Sequence, residues 1–276
     1  MPNEDVRITW ANTAAEISMM QRNIPGIALM AGGTQALRSQ NARIPVLPPY
    51  ILAIRSVPEL KSVTKTERYM EFGAAVPLAE ILSFGRKNVP EVFYDALLLA
   101  ANPGVRSIAT LGGNLCVRGQ PLSAFAPLLA LDARLEYRST QDTSWVSLSR
   151  LHGEHLLDAG GYIAKIRVPT EHWDIARYRR LGRPGLFSAE TASFVFLVKS
   201  QKNVLADIRV AVTGSGWFRN REFENLLIGR SLPVSGREIR YLMERAEAFL
   251  EPDLFDSTFR RLQVLNLLEA GLKELT

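Results

Sequence analysis

A single cysteine, Cys116, in a chain of 276 residues leaves no partner for an internal disulfide, and only 3 histidines accompany it. No Cys/His cluster therefore offers four zinc ligands, and a disulfide- or zinc-stapled fold is excluded. No stretch approaches the roughly 18 uninterrupted apolar residues of a membrane helix. The opening residues Met1-Pro2-Asn3-Glu4-Asp5 are acidic with no long apolar run behind them, so no secretory signal is read. The expected compartment is the cytoplasm, which suits an unpaired thiol. Three nucleotide and hydrolase fingerprints are also missing. Gly214-Ser215-Gly216 runs into Trp217-Phe218-Arg219, so no G-x-G-x-x-G is formed, and neither a P-loop nor a G-x-S-x-G elbow occurs.

What is present is a globular composition. Hydrophobic residues make up 47% and charged residues 22%, too apolar for a disordered chain. A chain of this length buries roughly three quarters of its unfolded surface, enough for one large core or two ordinary ones. Lys and Arg number 33 against 28 Asp and Glu, a net charge of +5. That excess invites a polyanion, but a phosphate-neutralising groove needs its cations clustered. Here they are interspersed, and nucleic acid is not an expected partner. The densest run, Arg177, Arg179, Arg180 and Arg183, reads either as a solvated face or as a small anion site.

Along the chain, Thr13-Ala14-Ala15-Glu16 has capping-box spacing, in which hydroxyl and carboxylate each satisfy the other's backbone N–H. A helix to about Arg22 follows, then a short strand over 27–30. Ala31-Gly32-Gly33-Thr34 comes next, with a helical turn over Gln35–Arg38 and a strand over 50–54. Tyr69 to Val76 reads as a strand, Pro77 as the first residue of a helix to about Arg86, and Pro90 as the opening of a helix stopped by Pro103-Gly104. After the glycine turn Thr110-Leu111-Gly112-Gly113-Asn114-Leu115, strands are expected over 134–138 and 162–168. Further on, paired strands over 193–199 and 207–213 flank the turn Gln201-Lys202-Asn203. Two amphipathic helices, about 235–250 and 256–275, close the chain. A domain boundary is expected near 169–176.

The two glycine turns are the candidates for chemistry. Glycines between a strand and a helix let a ligand approach the backbone, and successive N–H groups there make a concavity for phosphate. Each turn could equally be a tight turn and nothing more, yet two of them, each flanked by Thr and a polar residue, could clasp a dinucleotide. His152-Gly153-Glu154-His155 lacks a further ligand and reads as a surface loop. Cys116, with no candidate general base, reads as a small packed side chain.

These residues carry a resemblance. Ala31-Gly32-Gly33-Thr34, Phe72-Gly73-Ala74-Ala75-Val76, Thr110-Leu111-Gly112-Gly113-Asn114-Leu115 and Leu128-Leu129-Ala130-Leu131-Asp132-Ala133 occur in that order and at familiar spacing. Together they resemble the FAD-binding (medium) subunit of molybdenum hydroxylases, the xanthine dehydrogenase and carbon monoxide dehydrogenase family. The similarity continues through 178–183 and 224–229 and so covers nearly the whole chain. It implies an α+β chain: a two-subdomain FAD-binding domain of the vanillyl-alcohol-oxidase type over 1–172 (subdomains about 1–56 and 57–172), then a small α+β domain over 173–276. By the same resemblance Ala31, Gly32, Gly33, Thr34 and Gln35 cradle one side of FAD, mainly through backbone groups. Thr110, Gly112, Gly113 and Asn114 hold the other. Backbone at Ile163 and the side chain of Arg179 fall near the flavin end.

Five positions stand out. Gln35 occupies a position usually held by Asp, and Arg179 one often held by Lys. A gapless count back from Leu131-Asp132-Ala133 puts Ser123 where relatives carry Asp. Arg118 and Gln120 are bulkier and more polar than the family pattern. FAD is still expected to bind, because backbone donors hold the phosphates, although neutral Ser is a weaker acceptor than carboxylate. The implied role is electron transfer: a large partner carries molybdopterin, a small partner carries 2Fe–2S clusters, and FAD here passes electrons to an external acceptor. No side chain of this chain is required as a general base, and its lack of cysteine ligands places the clusters elsewhere. A scaffold or assembly subunit with a degenerate FAD site is the alternative, and a free-standing flavin oxidoreductase a third.

Overall fold

The computed structural model describes residues 6–38, 46–117, 119–139, 142–153, 160–183 and 186–276. The chain forms two compact units that are not contiguous in sequence. One comprises Met1–Val89, Asn102–Val117 and Asp132–Thr170; the other comprises Pro90–Ala101, Arg118–Leu131 and Glu171–Thr276.

The first unit begins with β1 (Arg7–Trp10), α1 (Ala14–Asn23), β2 (Ala28–Met30), α2 (Thr34–Arg38) and β3 (Tyr50–Ala53). The three strands form a parallel sheet in the order β1-β3-β2. Helix α1 starts as the sequence predicts, with Thr13 Oγ1 accepting from Glu16 N at 3.2 Å. The reciprocal contact differs, because the Glu16 carboxylate accepts from Asn12 N at 2.7 Å, one residue before the expected Thr13. Ile17, fully buried, packs with Ala11, Leu52, Val57 and Leu60 in one core. That core also takes Tyr162 and Ala164 from the second sheet.

That second sheet has five strands, β4 (Val63–Lys65), β5 (Tyr69–Gly73), β6 (Arg134–Arg138), β7 (Thr143–Ser147) and β8 (Tyr162–Pro169), in the order β4-β5-β8-β6-β7. All its pairings are antiparallel. Between β5 and β6 the first unit carries α3 (Leu78–Ser83), α5 (Pro103–Arg106) and α6 (Leu111–Leu115), and α8 (Leu148–Gly153) follows β7. Pro77 is the residue before α3 rather than its first residue, and Gly85, at φ 82, ends that helix short of Arg86. On one sheet face the Arg167 guanidinium lies 4.5 Å from the Tyr69 ring centre and 4.1 Å from that of Trp145. It also bonds Glu71 at 2.7 Å.

The second unit is built on β9 (Ile175–Leu181), β10 (Ala192–Gln201), β11 (Val204–Thr213) and β12 (Trp217–Phe218), antiparallel in the order β12-β11-β10-β9. Lys202 and Asn203 form the β10–β11 turn with φ 50 and 58, as a tight hairpin requires. Phe194, Phe196, Val198, Ile208, Val210 and Val212 point into a core shared with α10 (Gly236–Phe249) and α11 (Thr258–Lys273). The capping box at α10 is complete, with Ser235 and Glu238 bonding each other's backbone. Alternation misleads on the other face: Val195, Leu197 and Ala211 are buried too. The helices α4 (Glu91–Leu98) and α7 (Phe125–Ala130), both upstream of residue 131, belong to this unit and contact β9, β10 and β11. Two arginines cap the last carbonyls of α7, Arg219 reaching Leu129 O at 2.6 Å and Arg209 reaching Ala130 O at 3.0 Å. Such donors satisfy helix-end carbonyls that have no partner within the helix. Arg219 is itself neutralised at 2.9 Å by Glu224, which is fully buried in α9 (Arg221–Asn225). Among the described residues no helix is long and apolar enough to cross a membrane.

Candidate functional site

Parallel strands put their carboxyl ends on one edge, and ligands of α/β sheets gather beyond that edge. Ile54 N bonds Met30 O at 3.0 Å and Ala11 N bonds Ala53 O at 3.0 Å, so the residues following β1, β2 and β3 emerge side by side. The turn Ala31–Thr34 leaves from this edge. Gly33 sits at φ 66, a left-handed conformation that favours glycine. Gly32 is required for a different reason: a Cβ there would lie 2.2 Å from the carbonyl oxygen of Ile108. Among the described residues no acceptor faces the N–H groups of Gly32, Gly33, Thr34 or Gln35. Four successive donors, all on half-buried residues, make this turn an anion concavity.

The second glycine stretch is a helix rather than a loop. Thr110 caps α6, its Oγ1 accepting from Gly113 N at 3.2 Å. Leu111 N bonds Val76 O at 3.0 Å, Gly112 N bonds Ala74 O at 2.8 Å and Asn114 N bonds Thr110 O at 2.9 Å. All four N–H groups from Leu111 to Asn114 are therefore engaged within the chain, and that of Thr110 is left without an acceptor among the described residues. A Cβ on Gly112 would meet Ala74 Cβ at 2.6 Å, so close packing demands this glycine. Gly113 is exposed.

The structure brings the two turns together through the contact of Gly32 with Ile108 and Ala109, immediately before the Thr110 cap. Ile163, buried in β8, is also close by in hydrogen-bond terms: Gly112 donates to Ala74, and Ala74 N donates to Ala164 O at 2.9 Å. Ser123 and Arg179 belong to the other compact unit. There Ser123 is buried, and its hydroxyl lies beside that of Tyr178, which bonds Ser193 at 3.1 Å. Desolvation pushes Tyr178 up to about 12, offset in part by those two serines and by Arg180. Arg179 is exposed in β9 and donates to Tyr178 O at 2.9 Å.

The arginine run thus lies along a strand and its exit, not a loop. Arg177 pairs with Glu274 at 2.8 Å, and Arg180 donates to the carbonyls of Arg183 and Leu186. Cys116 ends α6. The residue as a whole is half-buried, yet its thiol is enclosed enough that lost hydration pushes its pKa up to about 12. That direction keeps the thiol protonated at neutral pH, the form that is not nucleophilic. Residues 154–159, with Glu154 and His155 of the paired-histidine motif, and Arg118 lie outside the described residues. Among the described residues no group of His, Cys, Asp and Glu is placed to hold a metal ion.

Sequence reasoning missed three contributors: Ala74, which receives the second turn; Ile108, which packs on Gly32; and Arg55, which donates to Ser107 O at 3.3 Å. Ala74 lies in the Phe72–Val76 stretch that carries the resemblance, though no part in the site is read for it there, and Ile108 and Arg55 belong to no motif. Only the strand–turn position of Arg55, just past β3, was available as a signal.

The sequence profile described as the FAD binding domain in molybdopterin dehydrogenase matches residues 4–171, more than half of the chain, and the chain belongs to that family. FAD is the cofactor of this domain, and the unpaired donors of Gly32–Gln35 fit its phosphates. In sequence the chain is 28% identical over 148 residues to the xanthine dehydrogenase FAD-binding subunit of Escherichia coli O157:H7, an alignment covering 51% of this chain and 49% of that protein. It is 32% identical over 146 residues to xanthine dehydrogenase of Drosophila pseudoobscura pseudoobscura, covering 48% of this chain and 11% of that one. The matched region is thus about half the length of the bacterial subunit and about a tenth of the insect enzyme.

Among solved structures, carbon monoxide dehydrogenase from Hydrogenophaga pseudoflava superposes with a TM-score of 0.85 at 19% identity, covering 100% of this chain and 98% of that one. Quinoline 2-oxidoreductase from Pseudomonas putida 86 gives 0.77 at 20% identity, covering 100% and 96%. At such identities these two likenesses establish the fold. The α+β architecture is therefore shared with those chains.

Proposed function

We propose that this chain is the FAD-carrying, electron-transferring subunit of a multi-subunit molybdenum hydroxylase. The observation that carries the reading is the row of unpartnered N–H groups from Gly32 to Gln35 at the carboxyl edge of a parallel sheet, in a chain whose family binds FAD. Residues 1–172 form the FAD-binding region and 173–276 the C-terminal domain. Ala31 to Gln35 cradle the pyrophosphate, the N–H groups of Gly32 to Gln35 donating to it. Thr110 and Gly112 to Asn114 form the facing wall, where the exposed Gly113 leaves room for close approach and the Thr110 N–H adds one donor. The family resemblance adds the backbone of Ile163 and the side chains of Ser123 and Arg179 to the binding set.

FAD, when bound, supplies the redox chemistry. The protein's own part is to bind it, orient it and keep reactive side chains away, and the neutral thiol of Cys116 agrees with that. A large molybdopterin-binding subunit and a small iron–sulfur subunit are the partners, and the complex works in the cytoplasm. Supplying FAD to the purified chain, removing the excess and recording the visible spectrum tests the cofactor. Flavin bands that stay with the protein support the reading, whereas a colourless protein, even beside its partners, overturns it. Co-purification from the native source with one large and one cysteine-rich protein tests the complex.

A further inference from the structure

At the carboxyl edge of the parallel sheet the chain leaves β3 at Ile54, held beside Met30 by the bond from Ile54 N to Met30 O at 3.0 Å. Arg55 is the next residue, exposed, and has no part in the motifs that define the family. Its guanidinium donates one N–H to Ser107 O at 3.3 Å. Ser107 precedes Ile108, whose carbonyl occupies the space a Cβ of Gly32 would need. The side chain therefore runs from the end of β3 to the segment that touches the first glycine turn.

A guanidinium has five N–H donors, and Ser107 takes one. Among the described residues Arg55 has no carboxylate within ion-pair distance. Several other arginines are neutralised by carboxylates: Arg138 is paired with Glu136, Arg167 with Glu71, Arg177 with Glu274, and Arg219 with Glu224. An unneutralised cation beside a row of unpaired N–H groups offers an anion charge and directional donors together.

We infer that Arg55 is a binding residue for the FAD pyrophosphate, tied by Ser107 to the segment that joins the two glycine turns. The inference rests on the FAD reading and extends it to a side chain that no motif marks. Arg55 contributes charge, the glycine turn contributes directional N–H donors, and the Ser107 bond limits the arc the guanidinium can sweep. An exposed cation acting on a bound anion is weakened by salt.

The test uses the full-length chain, with FAD affinity read by flavin fluorescence from about 20 mM to about 500 mM NaCl, over which the screening length falls from about 20 Å to about 4 Å. Arg55→Gln keeps a donor for Ser107 and removes the charge, while Arg55→Lys keeps the charge. At low salt Arg55→Gln should weaken FAD binding roughly five- to tenfold, as expected for one half-screened charged contact. Its affinity should also fall less with added salt than the wild type's, and Arg55→Lys should stay within about threefold of wild type. Arg55→Gln binding FAD like wild type would overturn the assignment while leaving the flavoprotein reading intact. A loss in Arg55→Gln with the wild-type salt dependence would also overturn it, since that marks a packing role alone. A wild-type chain that takes up no FAD at any salt concentration removes both readings at once.

Discussion

The two glycine turns of the first unit look alike on paper and do opposite things. Each pairs Gly-Gly with a threonine and a short helix, the first pair just before α2 and the second inside α6. In the first, glycine serves an outward purpose: Gly33 adopts φ 66, and four N–H groups in a row have no acceptor among the described residues. In the second, glycine serves an inward one. Gly112 is fully enclosed against Ala74, and the N–H groups that follow Thr110 are bound to Val76, Ala74 and Thr110 itself. One turn is a donor array and the other a packed strut, because the second lies along the β5–α3 connection while the first leaves a sheet edge.

That contrast can be broken by substitution, because added bulk should destabilise the fold at either turn but should cost FAD affinity chiefly at the first. Gly112→Ala places a methyl 2.6 Å from Ala74 Cβ and 2.8 Å from its carbonyl oxygen, in a region with no slack. The expected loss is about 2–3 kcal/mol of stability, read from urea denaturation, and a wild-type midpoint would refute the packing argument. Gly32→Ala meets a backbone atom more closely still, the Ile108 carbonyl oxygen at 2.2 Å, in a segment whose next residue, Ala109, is bonded on both sides to Val105 and Leu78. Stability should fall by a comparable amount, about 2–3 kcal/mol. FAD affinity should drop roughly tenfold or more, since a displacement of about 1 Å disturbs a positioned ligand. If Gly112→Ala weakened FAD binding as much as Gly32→Ala, the division into array and strut would be wrong.

Smaller effects sharpen the same distinction. Thr110→Val removes the cap on Gly113 N while keeping the side-chain volume, and should cost about 1 kcal/mol in thermal or urea unfolding. The salt dependence of FAD binding should be unchanged, and any change in it would implicate the Thr110 hydroxyl, and not its N–H alone, in the anion site. The subtlest effect is one of pH. Cys116, at the end of the strut, is pushed up to about 12 from an ordinary value of 9.0. The folded chain keeps this proton where the unfolded chain has lost it, so the contribution is whole below pH 9.0 and drains away as pH rises toward about 12. The melting temperature should therefore fall over that window, and fall less in Cys116→Ala. Rapid alkylation of the native thiol by iodoacetamide at neutral pH would contradict the enclosure on which this rests.

Much of the fold was legible because its signals are local. Thr13 and Ser235 announce their helices by side-chain hydrogen bonds reaching three residues ahead, and the β10–β11 hairpin is written in alternation and a turn. The strand β9 was not legible, because Arg177, Arg179 and Arg180 read as a charge run; pairing with β10 makes it a strand. Nor was α6, since two glycines in five residues argue against a helix. The Thr110 cap and the stitching to residues 74–76 override that preference. Pro77 and Pro90 mark their helices correctly but stand one residue outside them.

The sequence alone determined the glycine turns, their order and the family they imply, and it excluded disulfides, zinc and the dinucleotide fingerprints. Those conclusions need only residue identity and spacing. Which turn keeps its donors free was decided by tertiary structure, since a free N–H is defined by the absence of an acceptor that any distant segment could have supplied. The same holds for Arg55. Its neighbour Ser107 is 52 residues away, and only folding makes them adjacent.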